Sequence, residues 1–197
     1  MLCFKGGTIP PETRRQCIQA LLDAGAAPNR LDTNANNAPL TYAIARGDPA
    51  IINALLRAGA NPNHANVMSW TALQAAASTG AVSCAIALIK AGANLEAVYE
   101  PTQRTPLDFA AKNSPRMIPI LLRAGAKFDM SRFLPPTDIS GESLTYLLGV
   151  DAAGGWKKYE QSHRTRLTTT FARVLFPHLP IGAISNIVCL WAHVGFY

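Results

Sequence analysis

The sequence predicts an all-α solenoid of stacked helix-turn-helix repeats joined by hairpin loops, followed by a helical C-terminal extension. Three observations carry that expectation. The tripeptide AGA recurs with its glycine at Gly25, Gly59, Gly92 and Gly125, at steps of 34, 33 and 33 residues. An apolar stripe with helical spacing precedes every copy. A helix-start signal stands 20, 20 and 19 residues ahead of the last three glycines.

The stripes are Ile18, Leu21 and Leu22; Ile51, Ile52, Leu55 and Leu56; Ala85, Leu88 and Ile89; and Ile118, Leu121 and Leu122. Spacing of i, i+3, i+4 marks a helix buried along one side. Each glycine then closes its helix, because it reaches positive φ without steric cost. The start signals are Ala38-Pro39-Leu40, Thr71-Ala72-Leu73 and Thr105-Pro106-Leu107. Proline suits a first helical turn, where its missing N–H would have no partner. The unit is therefore a short helix, a turn, a longer helix and a polar loop of about a dozen residues. Neither helix can bury its stripe alone, so the units must stack.

The TPL, AA and GA residues resemble the ankyrin repeat, whose period is 33 and whose first helix reads T-P-L-H-x-A-A. The resemblance covers about residues 12–130: a half unit at 12–26 and three fuller units at 38–60, 71–93 and 105–126. It implies a non-enzymatic module that binds protein. The family's histidine, which ties neighbouring hairpins together, is replaced by Thr41, Gln74 and Asp108, so those ties are expected to be less uniform. The fourth unit is one residue short and carries Pro119 after Ser114-Pro115, so its second helix is expected to start late or lose a backbone bond. Gly6-Gly7 breaks any helical pattern ahead of the half unit.

After Met130 the period stops. Residues 1–130 form the expected array, 131–155 a capping helix and linker, and 156–197 a helical hairpin. The capping helix aligns Leu144, Leu147 and Leu148, and Gly154-Gly155 reads as a flexible joint. Next, Trp156, Tyr159, His163, Leu167, Phe171, Val174 and Leu175 share one side of a helix ending before Pro177. A last helix aligns Ile181, Ile184, Ile187, Val188, Trp191 and Val194. Two helices of this length cannot hide their apolar faces on each other alone. Docking on the last repeat is one outcome; offering Trp156, Trp191, Phe196 and Tyr197 to a partner is the other.

Composition points away from chemistry. Half the chain is hydrophobic and only 15% charged, which favours a packed fold over disorder. Cys3, Cys17, Cys84 and Cys189 form no C-x-x-C pair, and His64, His163, His178 and His193 show no metal-binding spacing. Cys17 and Cys84 occupy equivalent places beside the stripe and are expected to be buried and inert. No phosphate-binding loop or nucleophile elbow occurs. No catalytic residue, metal site or cofactor is expected. Scattered cysteines and the lack of a signal-like apolar stretch suggest a reducing intracellular compartment, the cytoplasm first, with an organelle left open behind a removed transit peptide.

In such arrays the hairpin tips and the ends of the first helices line a concave side and vary without harming the core. Those positions are Asn37, Ala45 and Arg46; Val67, Met68, Trp70, Ser78 and Thr79; and Tyr99, Glu100, Arg104 and Lys112. The loop His64–Trp70 is unusually apolar, so Met68 and Trp70 read as anchors, or Trp70 as a side chain folded onto the neighbouring repeat. A protein partner on this face, and another on the tail through Trp156 and Trp191, make an adaptor or scaffold. Two alternatives stand beside it. The segment 176–192 faintly resembles the helical boxes that couple ankyrin receptors to ubiquitin ligases. Net charge is +6, and Lys157, Lys158, Arg164, Arg166 and Arg173 face only Glu160 in 156–176, which suits a peripheral anionic surface. A nucleic-acid partner and a small-molecule substrate are not expected.

Overall fold

The structure, a computed structural model, describes residues 10–133, 139–174 and 179–194, with side chains described as far as Thr170 and Val188 in the last two segments. Its helices are α1 Pro11–Asp23, α2 Pro39–Ala45, α3 Pro49–Arg57, α4 Ala72–Thr79, α5 Val82–Lys90, α6 Pro106–Asn113, α7 Ile118–Ala124, α8 Gly141–Ala152, α9 Trp156–Val174 and α10 Ile181–Val194. Among the described residues, β pairing is confined to isolated bridges at Ala65/Thr71 and Tyr99/Arg104. The fold is all-α, and its pairs α2/α3, α4/α5 and α6/α7 are the three expected units.

Local chemistry explains both ends of these helices. Pro39, Pro49 and Pro106 each stand in a first turn. Thr71 and Thr105 build reciprocal caps with Gln74 and Asp108: Thr71 N donates to Gln74 Oε1 at 2.8 Å and Thr105 N to Asp108 Oδ2 at 2.8 Å. The AGA tripeptide is a two-bond helix stop. Gly59 N donates to Leu56 O at 3.0 Å and Ala60 N to Leu55 O at 2.9 Å, with Gly59 at φ +88°. The same pair of bonds recurs at Gly25, Gly92 and Gly125. The closing alanines Ala60, Ala93 and Ala126 are buried, which accounts for the last letter in these three copies.

The chain divides into two compact units, 1–144 and 145–197. In the first, α4 packs between α2 and α6 through the small buried residues Ala75, Ala76 and Ala77. Leu40, Ile44, Ile52, Leu73, Leu88, Leu107, Ile118 and Leu121 fill the core around them. The fourth unit starts its second helix late, as its sequence predicts: a 3₁₀ turn at Pro115–Met117 precedes α7, and Pro119 falls in the first turn. Beyond the expected end at 130, a 3₁₀ turn at Met130–Phe133 stays packed. Phe128 stacks on Phe133, and Arg132 donates to Asp108 Oδ2 at 2.6 Å and Gln103 O at 3.0 Å.

The half unit differs from the others. Leu21 is 38% exposed, whereas Leu55 and Leu88, at the same place in their repeats, are 4% and 0%. Among the described residues no first helix precedes α1 to cover it. The same gap corrects the expectation for Cys17, which is half-buried while Cys84 is buried. Burial, and then the charge of Asp48, raises the Cys84 thiol pKa and keeps it protonated.

In the second unit α9 and α10 pack on each other, with Leu147, Val150, Ile184 and Val188 buried. Two expectations for this region are corrected. The buried positions of α8 are Ser143, Leu147 and Val150, while Leu148 is exposed. Gly154-Gly155 does not coincide with the division between the two compact units, which falls inside α8, between Leu144 and Thr145. The pair instead closes α8: Gly154 N donates to Asp151 O at 2.8 Å and Gly155 N to Val150 O at 3.0 Å, with φ of +75° and +110°. Gly6-Gly7, Cys3, Leu175, His178, Phe196 and Tyr197 lie outside the described residues.

Candidate protein interface

The hairpins between units are rigid because each is tied to its neighbour. In the first, Asp32 is a buried hub: its carboxylate accepts from Ala35 N at 2.8 Å, from Asn34 N, from Asn37 and from the Tyr42 hydroxyl. The Tyr42 hydroxyl, followed by the Ala35 amide, holds the Asp32 carboxyl far below the ordinary carboxylate range. In the second, Asn66 Oδ1 accepts from Met68 N at 2.9 Å and Trp70 N at 3.0 Å. Across to the first hairpin run Asn66 Nδ2 to Asn37 Oδ1 at 3.1 Å, Val67 N to Ala35 O at 3.1 Å and the His64 Nε2 contact with Asn36 O at 2.6 Å.

Gln74, in place of the family's histidine, reaches forward to the third hairpin, donating to Ala97 O at 2.8 Å and Arg104 O at 3.4 Å. Each tip carries one non-glycine residue at positive φ: Asn36, Ser69 and Gln103 at +54°, +59° and +54°. Such residues persist where surrounding bonds over-determine the backbone.

A second set of ties runs along the other end of the second helices and was not anticipated from the sequence. Asn29 Nδ2 donates to Gly59 O at 2.9 Å while its Oδ1 accepts from Asn61 N at 2.7 Å. Asn63 repeats this with Gly92 O at 3.0 Å and Asn94 N at 2.6 Å. Glu96 takes the same place but only accepts, from Lys127 N at 2.8 Å. The signal lay in the sequence four residues after each AGA glycine, hidden because three residue types share the position. Between α1 and α3, Arg15 Nε donates to Asp48 Oδ2 at 2.9 Å. Burial works against the Asp48 charge, but this bond and the Ala50 amide prevail and hold its pKa low.

On this frame the anticipated contact residues separate into two groups. Val67 and Met68 are 64% and 48% exposed at the second hairpin tip. Ala45, Arg46, Thr79, Glu100 and Lys112 are exposed too, and Asn37, Ser78 and Arg104 are half-buried. Trp70 departs from the reading that made it a free anchor. Its ring lies 5.0 Å from that of Tyr99 and 4.9 Å from that of Phe109, both edge-to-face, and Tyr99 is half-buried with it. An indole beside the next repeat gains more from that cluster than from water. Tyr42, exposed one helical turn before Ala45 on α2, was missed. Its signal was the i, i+3 spacing. An open groove of about 530 Å³ lies between the turn joining α2 to α3 and the turn joining α4 to α5, lined by Arg46, Gly47, Pro49, Thr79 and Ser83.

In the second unit, Trp156 is half-buried, 6.1 Å from Tyr159 and 6.4 Å from Tyr146, so it is no free anchor either. The side chain of Trp191 lies outside the described residues, as does part of the segment that resembles a ligase-recruiting box. Among the described residues no group of three or more His, Cys, Asp or Glu is placed to hold a metal ion.

Helix pairs stacked in register, with cross-tied hairpins projecting from one side, define a repeat solenoid of the kind that presents a preformed surface to another protein. Residues 40–132 match the ankyrin-repeat family model in three copies; this segment is an ankyrin-repeat array, and the fold implies protein partners. The chain is also 32% identical over 102 residues to the glycerophosphocholine phosphodiesterase gde1 of Schizosaccharomyces pombe. That similarity covers 48% of this chain and 9% of the phosphodiesterase. No described helix is long and apolar enough to cross a membrane.

Proposed function

We propose that the chain is a non-enzymatic adaptor whose array binds a protein partner through the hairpin face centred on Val67 and Met68. The observation that carries this reading is the contrast within one loop. Trp70 is spent on packing, while Val67 and Met68 stay in water on a backbone already fixed by bonds to Asn66 and Ala35. A rigid display loses little conformational entropy on contact, and methionine adapts to an irregular partner surface. Tyr42 and Arg46 at α2 and Thr79 on α4 extend the face, and Glu100 and Lys112 give it polar edges at the repeat of α6 and α7.

The test is capture of partners from a matched lysate by wild type and by Val67→Asp/Met68→Asp. The double variant should keep its helical circular dichroism and melting temperature and lose the partner. Retention of the same partner at the same affinity would remove this face from the interface. The similarity to a phosphodiesterase supplies a check on the non-enzymatic part: release of choline or glycerol phosphate from glycerophosphocholine by the purified chain would overturn it.

A further inference from the structure

The second unit carries a surface that the array's role does not use. On α9, Lys157, Lys158, Arg164 and Arg166 are all exposed, and no ion pair joins them to another described residue. Glu160, at the edge of this group, is the one acidic residue of α9, and from 161 to 197 the sequence contains no aspartate or glutamate. At about 100° per residue, Lys157 and Arg164 lie within about 20° of each other, with Lys158 and Arg166 about 100° and 180° round from Lys157. The opposite side of α9 is already engaged. Trp156, Tyr159 and His163 form a run of ring contacts with one another and with Tyr146. At the end of the hairpin where α9 returns into α10, Leu179 and Ile181 are exposed, and Ile181, at 70%, is the most exposed large apolar side chain among the described residues.

We infer that this face docks peripherally on an anionic phospholipid surface, the four cations lying among headgroups and Leu179 and Ile181 entering the interface. Two features favour a lipid surface over an acidic protein. The cations span an arc of about 200°, wider than the roughly 100° stripe one partner helix covers. A plane of diffuse negative charge receives them all, because lysine and arginine stems bend toward it. The apolar pair Leu179 and Ile181 adds apolar area to bury beside the electrostatic attraction, and interfacial binding grows with both. With its own apolar side packed, α9 lies on the surface and does not sink into it.

The experiment is cosedimentation of the full chain with phosphatidylcholine vesicles, with and without phosphatidylserine. Binding is expected only with phosphatidylserine and should weaken as salt rises. The variant Lys157→Gln/Lys158→Gln/Arg164→Gln/Arg166→Gln should lose at least about a hundredfold, at roughly 1 kcal/mol per cation. Leu179→Ser/Ile181→Ser should lose about tenfold. Unchanged circular dichroism must accompany both losses. The Val67→Asp/Met68→Asp variant should bind vesicles as wild type does, which separates this inference from the array's partner. Absent binding, equal binding to both vesicle types, or full binding by the quadruple variant overturns it. Binding to soluble polyglutamate with no binding to phosphatidylserine vesicles also overturns it and assigns the face to an acidic protein.

Discussion

Replacing Gln74 by alanine tests whether the ties between hairpins hold the array together. Gln74 is fully buried; its Oε1 accepts from Thr71 N at 2.8 Å and its Nε2 donates to Ala97 O at 2.8 Å. Truncation strands the buried Thr71 amide, at about 1–3 kcal/mol, and removes the bond to the next hairpin, at about 1 kcal/mol. The expected loss is about 3 kcal/mol, a large fraction of the roughly 5–15 kcal/mol available to a domain. Equilibrium urea unfolding measures it, and hydrogen exchange should accelerate first across the third hairpin. Gln74→His, which restores the family's residue, should recover part of the loss by donating to Ala97 O. Because Thr71 and Gln74 share one cap, Thr71→Ala/Gln74→Ala should cost less than the sum of the single variants. A loss below about 1 kcal/mol for Gln74→Ala, or strict additivity with Thr71→Ala, would refute the reasoning.

Four further outcomes follow from the same geometry. Valine at Gly59 or Gly92 should cost roughly 1–3 kcal/mol from positive φ alone, since a Cβ there meets nothing within 4 Å, and melting like wild type would sink the helix-stop argument. Alanine at Gly80 should cost more than alanine at Gly59, because its Cβ would stand 2.7 Å from Ser114 Oγ; equal thermal unfolding would show that Ser114 yields freely. Trp70→Ala should destabilise by about 2–4 kcal/mol by emptying the cluster with Tyr99 and Phe109, and calorimetry showing an unchanged melt would return Trp70 to the solvent face. Asp32 and Asp48 are both held below their unfolded pKa of about 4, so their stabilisation is complete above that pH and is lost as pH falls toward the folded values. Acid unfolding midpoints should therefore shift when Asp32 becomes Asn, and an identical acid profile would deny its role as a hub.

What the sequence determined alone is whatever local geometry forces. A glycine that must take positive φ, a proline that suits only a first turn and a stripe at helical spacing each leave the same letters wherever they recur. From them the repeat register, the late start of α7 and the all-α class were legible. The exposed tip at Val67 and Met68 was legible too, since an apolar run in a loop departs from the polar composition of its neighbours.

Only the tertiary structure decided the fate of side chains whose surroundings come from another repeat. Trp70 and Val67 lie three residues apart in one loop. The indole finds Tyr99 and Phe109 on the next unit, some 30 to 40 residues away in sequence, while the valine finds water. Cys17 and Cys84 occupy the same register, yet burial depends on whether a first helix stacks over them. The Asn29, Asn63 and Glu96 ties escaped for a related reason, since an acceptor oxygen is all the next amide requires and both asparagine and glutamate supply it. Gly154-Gly155 carried the opposite ambiguity. The same pair can loosen a chain or close a helix, and the carbonyls of Val150 and Asp151, within bonding reach of its two amides, made it a helix end.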